Sequence, residues 1–412
     1  MNKTVLLFSG QGSQVTGMGY ELYKNFDIAK EIFKEAGKIL DYNLKEICFV
    51  NKNNELAETK NSQIAIFVMD YIRYQIYNRE IGLLPCYSAG LSLGEITALT
   101  CSGAMKFEDA LKLVKKRGQF MQEAAIENPG SMLVIHGLEA EALEQICKEN
   151  STDKKMVNIS NYNSPTQLVI SGHDEIIDKI RLKLDKNHIR VDKLNVNFSF
   201  HSPLMKDASK RFSEELKRLN FYDFKFPVIS NVTGKPYKDK AEIEANLSRH
   251  MLSPVRWSDS MMFLKRKNIK DFIELGETDT LSKLVKKVIN DARTCTFHNQ
   301  FELDDVKYKL NGLEEYDKKK MSYLEKAISI LTCTKNYNDN LQEYDKGIKE
   351  PYIKLRELHT QIENTKSKKF DDSFFKKIHD VVIFGLNTKK VRPTEIENRL
   401  KQLEDIYHLK NN

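Results

Sequence analysis

Two rhythms of apolar and polar positions alternate along the first three-quarters of the chain. A solid apolar run, Val5–Phe8, predicts a short buried strand, with Gly10-Gln11-Gly12-Ser13-Gln14 as the loop that follows. Helical spacing then predicts helices over Tyr20–Asn25, Asp27–Leu40 and Ser62–Asn78. An extended run over Leu84–Ser88 comes next, then a helix through Ile96, Leu99 and Thr100, then an amphipathic helix over Phe107–Ala125. Strands alternating with helices argue for a mostly parallel sheet covered on both faces.

Between residues 128 and 200 the rhythm changes. Ser131–Ile135, Val157–Ser160, Gln167–Ser171 and Ile189–Val196 read as strands, and Ala140–Lys148 and Glu175–Leu184 as helices. The order β-α-β-β-α-β is the ferredoxin-like arrangement. The chain then resumes the first pattern, with strands at Val228–Asn231 and Asp271–Leu275 and a helix at Ala241–Met251. Residues 1–127 and 198–290 are therefore expected to form a large α/β subdomain, and 128–197 a small subdomain inserted into it. From 291 to 412 only helical spacing remains: Tyr316, Met321, Leu324, Ile328 and Leu331, then Ile396, Leu400, Leu403 and Tyr407. Pro393 and a Thr394-x-x-Glu397 capping box are expected to start the last helix. This part reads as an all-helical C-terminal appendage with an apolar face.

The 412 residues suffice for at least one large core. With 65 basic and 58 acidic side chains the net charge of +7 is spread over a mixed surface. No zinc-finger spacing, basic–aromatic repeat or RNP-like run accompanies it, so nucleic acid is not an expected partner. The mild positive balance suits an acidic protein or a phosphate-bearing ligand. Six scattered cysteines without a Cys-x-x-Cys pair fit a reducing compartment. The apolar run after Lys3 is too short for a secretory core or a membrane span, so a cytoplasmic protein without membrane association is expected.

Ala89-Gly90-Leu91-Ser92-Leu93-Gly94-Glu95 carries the chemistry. Gly-x-Ser-x-Gly between a strand and a helix sets a serine on a tight turn, and the helix N-terminus behind it offers free N–H groups. A structural turn serine has the same pattern. A serine nucleophile needs a base; of nine histidines, His201 lies where the small subdomain's last strand gives way to a turn and a new helix. Arg117 falls on the apolar stripe formed by Ala110, Leu113, Val114, Met121 and Ala124. An inward arginine is an internal salt bridge, a side chain snorkelling to water, or a two-pronged clamp for a substrate carboxylate.

Taken together, several ordered motifs resemble the malonyl-CoA:acyl carrier protein acyltransferase family. They are Gly10–Gln14; Gln63-Ile64-Ala65-Ile66; Gly90-x-Ser92-x-Gly94-Glu95; Arg117-Gly118 with Met121-Gln122; and Asn161–Pro165. Phe200-His201-Ser202-x-Leu204-Met205, Pro254-Val255-Arg256-Trp257 and Glu274-Leu275-Gly276 complete the series. The resemblance implies an α/β-hydrolase-like parallel-sheet core with a ferredoxin-like insertion. It implies Ser92 as acyl nucleophile and His201 as general base and acid, the latter oriented by the carbonyl near Ser253. Arg117 would pair with the malonyl carboxylate, the Gln11 and Leu93 backbone N–H groups would form the oxyanion hole, and Gln63 would order the pocket. Malonyl-CoA would be the substrate and an acyl carrier protein the partner, with no metal and no cofactor. Phe200, immediately before the histidine, favours malonyl over branched extender units.

Three departures stand out. Leu91 replaces the family's histidine, Ser9 its proline, and Gly276-Glu277-Thr278-Asp279 its Gly-Pro-Gly loop. The helical appendage suits a stand-alone enzyme of a polyketide assembly line, with 291–412 touching the synthase; fatty acid synthesis is the other setting. An acyl hydrolase that clears carrier proteins would share the Ser–His pair without needing Arg117, and a non-catalytic scaffold remains a reading for 291–412. Asp372-Ser373-Phe374 is similar to a carrier-protein attachment site but lacks its flanking glycine and leucine, and is read as chance.

Overall fold

A computed structural model describes residues 3–194, 198–311, 313–364 and 374–408. The chain divides into two compact units, Met1–Val306 and Lys307–Asn412. In the first, β1 (Thr4–Phe8), β2 (Tyr87–Gly90), β7 (Val228–Ile229), β8 (Asp271–Leu275) and β9 (Arg293–Thr296) form a parallel sheet in the order β7-β2-β1-β8-β9. β1 is central and buried on both faces, which is why it reads as an unbroken apolar run. Around the sheet lie α1 (Tyr20–Asn25), α2 (Asp27–Leu40), α3 (Thr59–Glu80), α4 (Leu93–Cys101) and α5 (Phe107–Glu127). Every residue from Thr59 to Tyr77 except Lys60, Tyr71 and Gln75 is buried in α3, so the helix is enclosed on nearly all sides.

The second sheet holds β3 (Ser131–His136), β4 (Val157–Ser164), β5 (Gln167–Gly172) and β6 (Val191–Lys193), antiparallel, in the order β4-β5-β3-β6. The helices Ala140–Asn150 and Asp174–Lys186 bury Leu143, Cys147, Ile177, Ile180 and Leu184 against Leu133, Ile159 and Ile170. This is the ferredoxin-like order. The small sheet joins the large part where Tyr162 N–H donates to Val255 O and Val255 N–H to Ser160 O, at 2.9 and 2.8 Å.

Four expectations are corrected. Residues 291–306 belong to the first unit, because β9 pairs with β8 and so extends the parallel sheet past residue 290. β7 is only Val228–Ile229: Ser230 closes a turn with Gly234 and Lys235, which takes Asn231 out of the sheet. Of Ile189–Val196, Val191–Lys193 is strand, and Asn195 and Val196 lie outside the described residues. Pro393 is the first residue of the last helix, so Thr394 sits inside its first turn rather than at the cap.

The second unit is helical, with a core of its own in which Leu324, Leu331, Ile378, Val382, Leu386 and Leu403 are buried. Asp372 and Ser373 of the discounted Asp-Ser-Phe match lie outside the described residues. All six cysteines are free thiols. Among the described residues no helix is long and apolar enough to cross a membrane.

Candidate active site

The turn at the end of β2 is as tight as its glycines require. Ser92 takes φ 52° and ψ −106°, a strained backbone for a residue with a side chain. A Cβ on Gly90 would lie 2.0 Å from the Gly94 carbonyl carbon, and one on Gly94 would lie 2.2 Å from Phe8 O. Neither position tolerates a larger residue. Asn231 holds the turn from outside: its Oδ1 accepts Ser92 N–H at 2.6 Å, and its Nδ2 donates to Gly90 O at 2.7 Å. Its own N–H is received by Glu95 Oε2 at 2.7 Å, and Tyr237 OH donates to Glu95 Oε1.

Ser92 Oγ lies 2.8 Å from His201 Nε2. On the far side of the ring, Nδ1 faces two carbonyl oxygens, His250 O at 2.9 Å and Ser253 O at 3.1 Å. Carbonyls can only accept, so Nδ1 carries the proton and Nε2 presents its lone pair to the hydroxyl. Burial presses His201 down to about 3, and His250 and Arg117 push the same way. The ring is therefore neutral at physiological pH, as a base must be before it acts.

Arg117 is completely enclosed, at 1% exposure, with no acidic side chain in salt-bridge distance among the described residues. Its Nη1 donates to Gln63 Oε1 at 2.6 Å and its Nη2 to Ser92 Oγ at 3.0 Å, while Nε has no partner. Burial lowers it to about 10, still cationic at neutral pH. Neither an internal salt bridge nor a side chain reaching water describes this arginine. Glu95 offsets part of that buried charge from beyond salt-bridge distance, and the guanidinium points at the serine.

Gln63 passes the network on, since its Nε2 donates to Gln11 Oε1 at 3.3 Å, and Gln11 Nε2 donates to Thr59 Oγ1 at 3.2 Å. The loop after β1 and the serine turn lie side by side: a Cβ on Gly10 would meet Leu91 O at 2.6 Å, and Gly94 faces Phe8 and Ser9. The backbone N–H groups of Gln11 and Leu93 have no acceptor among the described residues. Phe200 is buried with its ring stacked on Phe198 at 5.2 Å. No described contact joins that ring to Ser92 or Arg117. Leu91 is half-buried, packing on the core around Val5, Leu7 and Ala89 and facing Gly10.

Ser92, His201, Arg117, Gln63 and Gln11 thus form one connected constellation. Asn231, Glu95 and the His250 carbonyl belong to it and were not anticipated. A serine on a strained strand-to-helix turn, a neutral imidazole held in one tautomer, and N–H groups without an acceptor on the loop after β1 and at a helix start are the arrangement that serine acyl transfer requires.

Comparison with known proteins shows the family. The acyl transferase domain family matches residues 5–311. The malonyl CoA-acyl carrier protein transacylase of Bacillus subtilis is 34% identical over 363 residues, covering 88% of this chain and 91% of its own length. The solved structure of the malonyl CoA-acyl carrier protein transacylase from Coxiella burnetii superposes with a TM-score of 0.73 at 32% identity, over 75% of this chain and 98% of that one. A solved complex of a type II polyketide synthase acyl-carrier protein with its malonyl-transacylase gives 0.71 at 31% identity, over 74% and 98%. The chain belongs to the acyl transferase domain family.

Proposed function

We propose that this protein transfers malonyl groups from malonyl-CoA to the phosphopantetheine thiol of an acyl carrier protein, for fatty acid or polyketide synthesis. The observation that carries the reading is Arg117: a buried guanidinium with no carboxylate in salt-bridge distance among the described residues, in contact with the nucleophile's oxygen. A malonyl carboxylate supplies the missing counter-charge, and an acetyl group does not. The relatives' names point to the same substrates.

Ser92 Oγ attacks the thioester carbonyl carbon while His201 Nε2 takes its proton. The Gln11 and Leu93 N–H groups receive the oxyanion, a contact worth roughly 3–4 kcal/mol per donor. As the C–S bond breaks, His201 returns the proton to the departing CoA sulfur, leaving a malonyl ester on Ser92. The carrier thiol then loses its proton to His201, attacks the ester, and releases Ser92 with that proton restored. Gln63 fixes the guanidinium at 2.6 Å, and Phe200, the residue before His201, is the position read as favouring malonyl over branched units. Every proton in this scheme moves through His201, and malonyl-CoA enters as substrate.

The competing acyl hydrolase reading leaves Arg117 with no purpose. The test is to load the protein with malonyl-CoA, remove free CoA ester, and add a holo carrier protein. Transfer appears as a malonyl mass increment on the carrier, faster than release of free malonate. Release of malonate at the same rate with and without carrier would favour the hydrolase.

A further inference from the structure

Beyond the reacting groups, α3 carries a buried polar stripe. Thr59, Gln63, Asp70 and Arg73 are all buried, and their spacing of four, seven and three puts them on one helix face. That face grips the loop after β1. Gln11 is held by Thr59 and Gln63, and two residues earlier the Ser9 N–H donates to Asp70 Oδ2 at 2.7 Å. Arg73 in turn braces the carboxylate: its Nη1 lies 3.6 Å from Asp70 Oδ1, and its Nη2 donates to Glu277 Oε1. Glu277 opens the loop after β8, beside Gly276, where a Cβ would sit 1.9 Å from Ser9 Oγ. Two of the departures noted in the sequence, Ser9 and Glu277, therefore meet across Asp70 and Arg73. Burial pushes the Asp70 carboxyl up to about 8 against the pull of Arg73 and the Ser9 N–H. A carboxyl group buried this deeply, bonded to the backbone of a loop and flanked by Arg73, is a device for fixing that loop.

We propose that Asp70 is a positioning residue for the Gln11 backbone N–H, acting through the Ser9 N–H and itself fixed by Arg73 and Glu277. This rests on the reading of Gln11 as an oxyanion donor. A misplacement of about 1 Å near the chemistry costs on the order of a hundredfold in rate, so partial release of this loop is expected to cost about tenfold.

The test is a double-mutant cycle on the full chain. Asp70→Ala is measured alone and in a Ser9→Pro background, where the N–H is gone and the proline ring restricts the loop instead. Alone, D70A lowers kcat for malonyl transfer about tenfold with KM within about twofold; in the S9P background it costs less than about twofold. The same loss in both backgrounds overturns the proposal. Asp70→Asn keeps an oxygen for the Ser9 N–H and retains kcat within about threefold; a loss as large as that of D70A also overturns it. Should D70A not fold in either background, Asp70→Ser makes the same comparison, its oxygen being too short to reach Ser9. Amide exchange of residues 10–14 separates the two readings. Faster exchange in D70A, reversed by S9P, with kcat unmoved would leave the link intact and overturn Gln11 as an oxyanion donor.

Discussion

Arg117 Nη2 donates to Ser92 Oγ at 3.0 Å, so the group proposed to recognise the acid touches the group proposed to attack the thioester. Binding and chemistry share one hydroxyl. A carboxylate that draws the guanidinium toward itself leaves the serine to His201 alone, which orders the events as recognition first and attack second.

Arg117→Ala should therefore change selectivity rather than abolish acylation. Losing a charge-assisted, two-pronged contact predicts a fall in kcat/KM for malonyl-CoA of about a hundredfold, roughly 2.7 kcal/mol. Loading from acetyl-CoA should rise, because no buried charge is then left unpaired. Stopped-flow acylation with both thioesters checks this. Equal losses for both would assign Arg117 a purely structural place.

The pH dependence follows from His201. Burial, with His250 and Arg117, presses it from 6.5 down to about 3, so the basic form persists well below neutrality. The acid limb of kcat/KM for acylation should fall below about pH 5, not near 6.5. Arg117→Ala removes one downward push and should move that limb toward neutral pH. The same shift affects stability: the unfolded histidine binds a proton below 6.5 and the folded one does not. Its contribution is thus complete above 6.5 and is lost as pH falls toward 3.

The turn makes its own prediction. Asn231→Ala removes both clasps on the Ser92 turn and strands a buried N–H, a cost of about 1–3 kcal/mol in stability. Activity should fall at least tenfold. Gly94→Ala, with a Cβ 2.2 Å from Phe8 O, should be more damaging still. Urea unfolding and acylation rates measure both effects.

How far the chain could be read in advance depended on whether a signal was local. Ser92 announces itself within five residues, and Arg117 by breaking an apolar stripe. Asn231 acts across 139 positions and the His250 carbonyl across 49, the latter through backbone that any residue supplies. Asp70 looks like one polar residue in a helix until its partner 61 positions away is seen. The sheet's continuation past residue 290 escaped because β9, Arg-Thr-Cys-Thr, is a partly exposed edge strand without an apolar run.

Leu91 and the second unit allow a simple prediction. Leu91 packs on the core and its side chain faces Gly10, while no hydrogen bond among the described residues ties that side chain to Ser92, His201 or Arg117. Leu91→His should leave the acylation rate within about threefold, and removal of residues 307–412, which have a separate core, should leave malonyl loading measurable. Mass spectrometry of the loaded proteins reads both.

The most direct measurement is intact mass after mixing with malonyl-CoA, run beside Ser92→Ala. The account predicts one malonyl adduct on the unaltered chain, none on S92A, and discharge of the adduct by a holo carrier protein. A malonyl adduct that persists in S92A, or one that no carrier protein discharges, would contradict it.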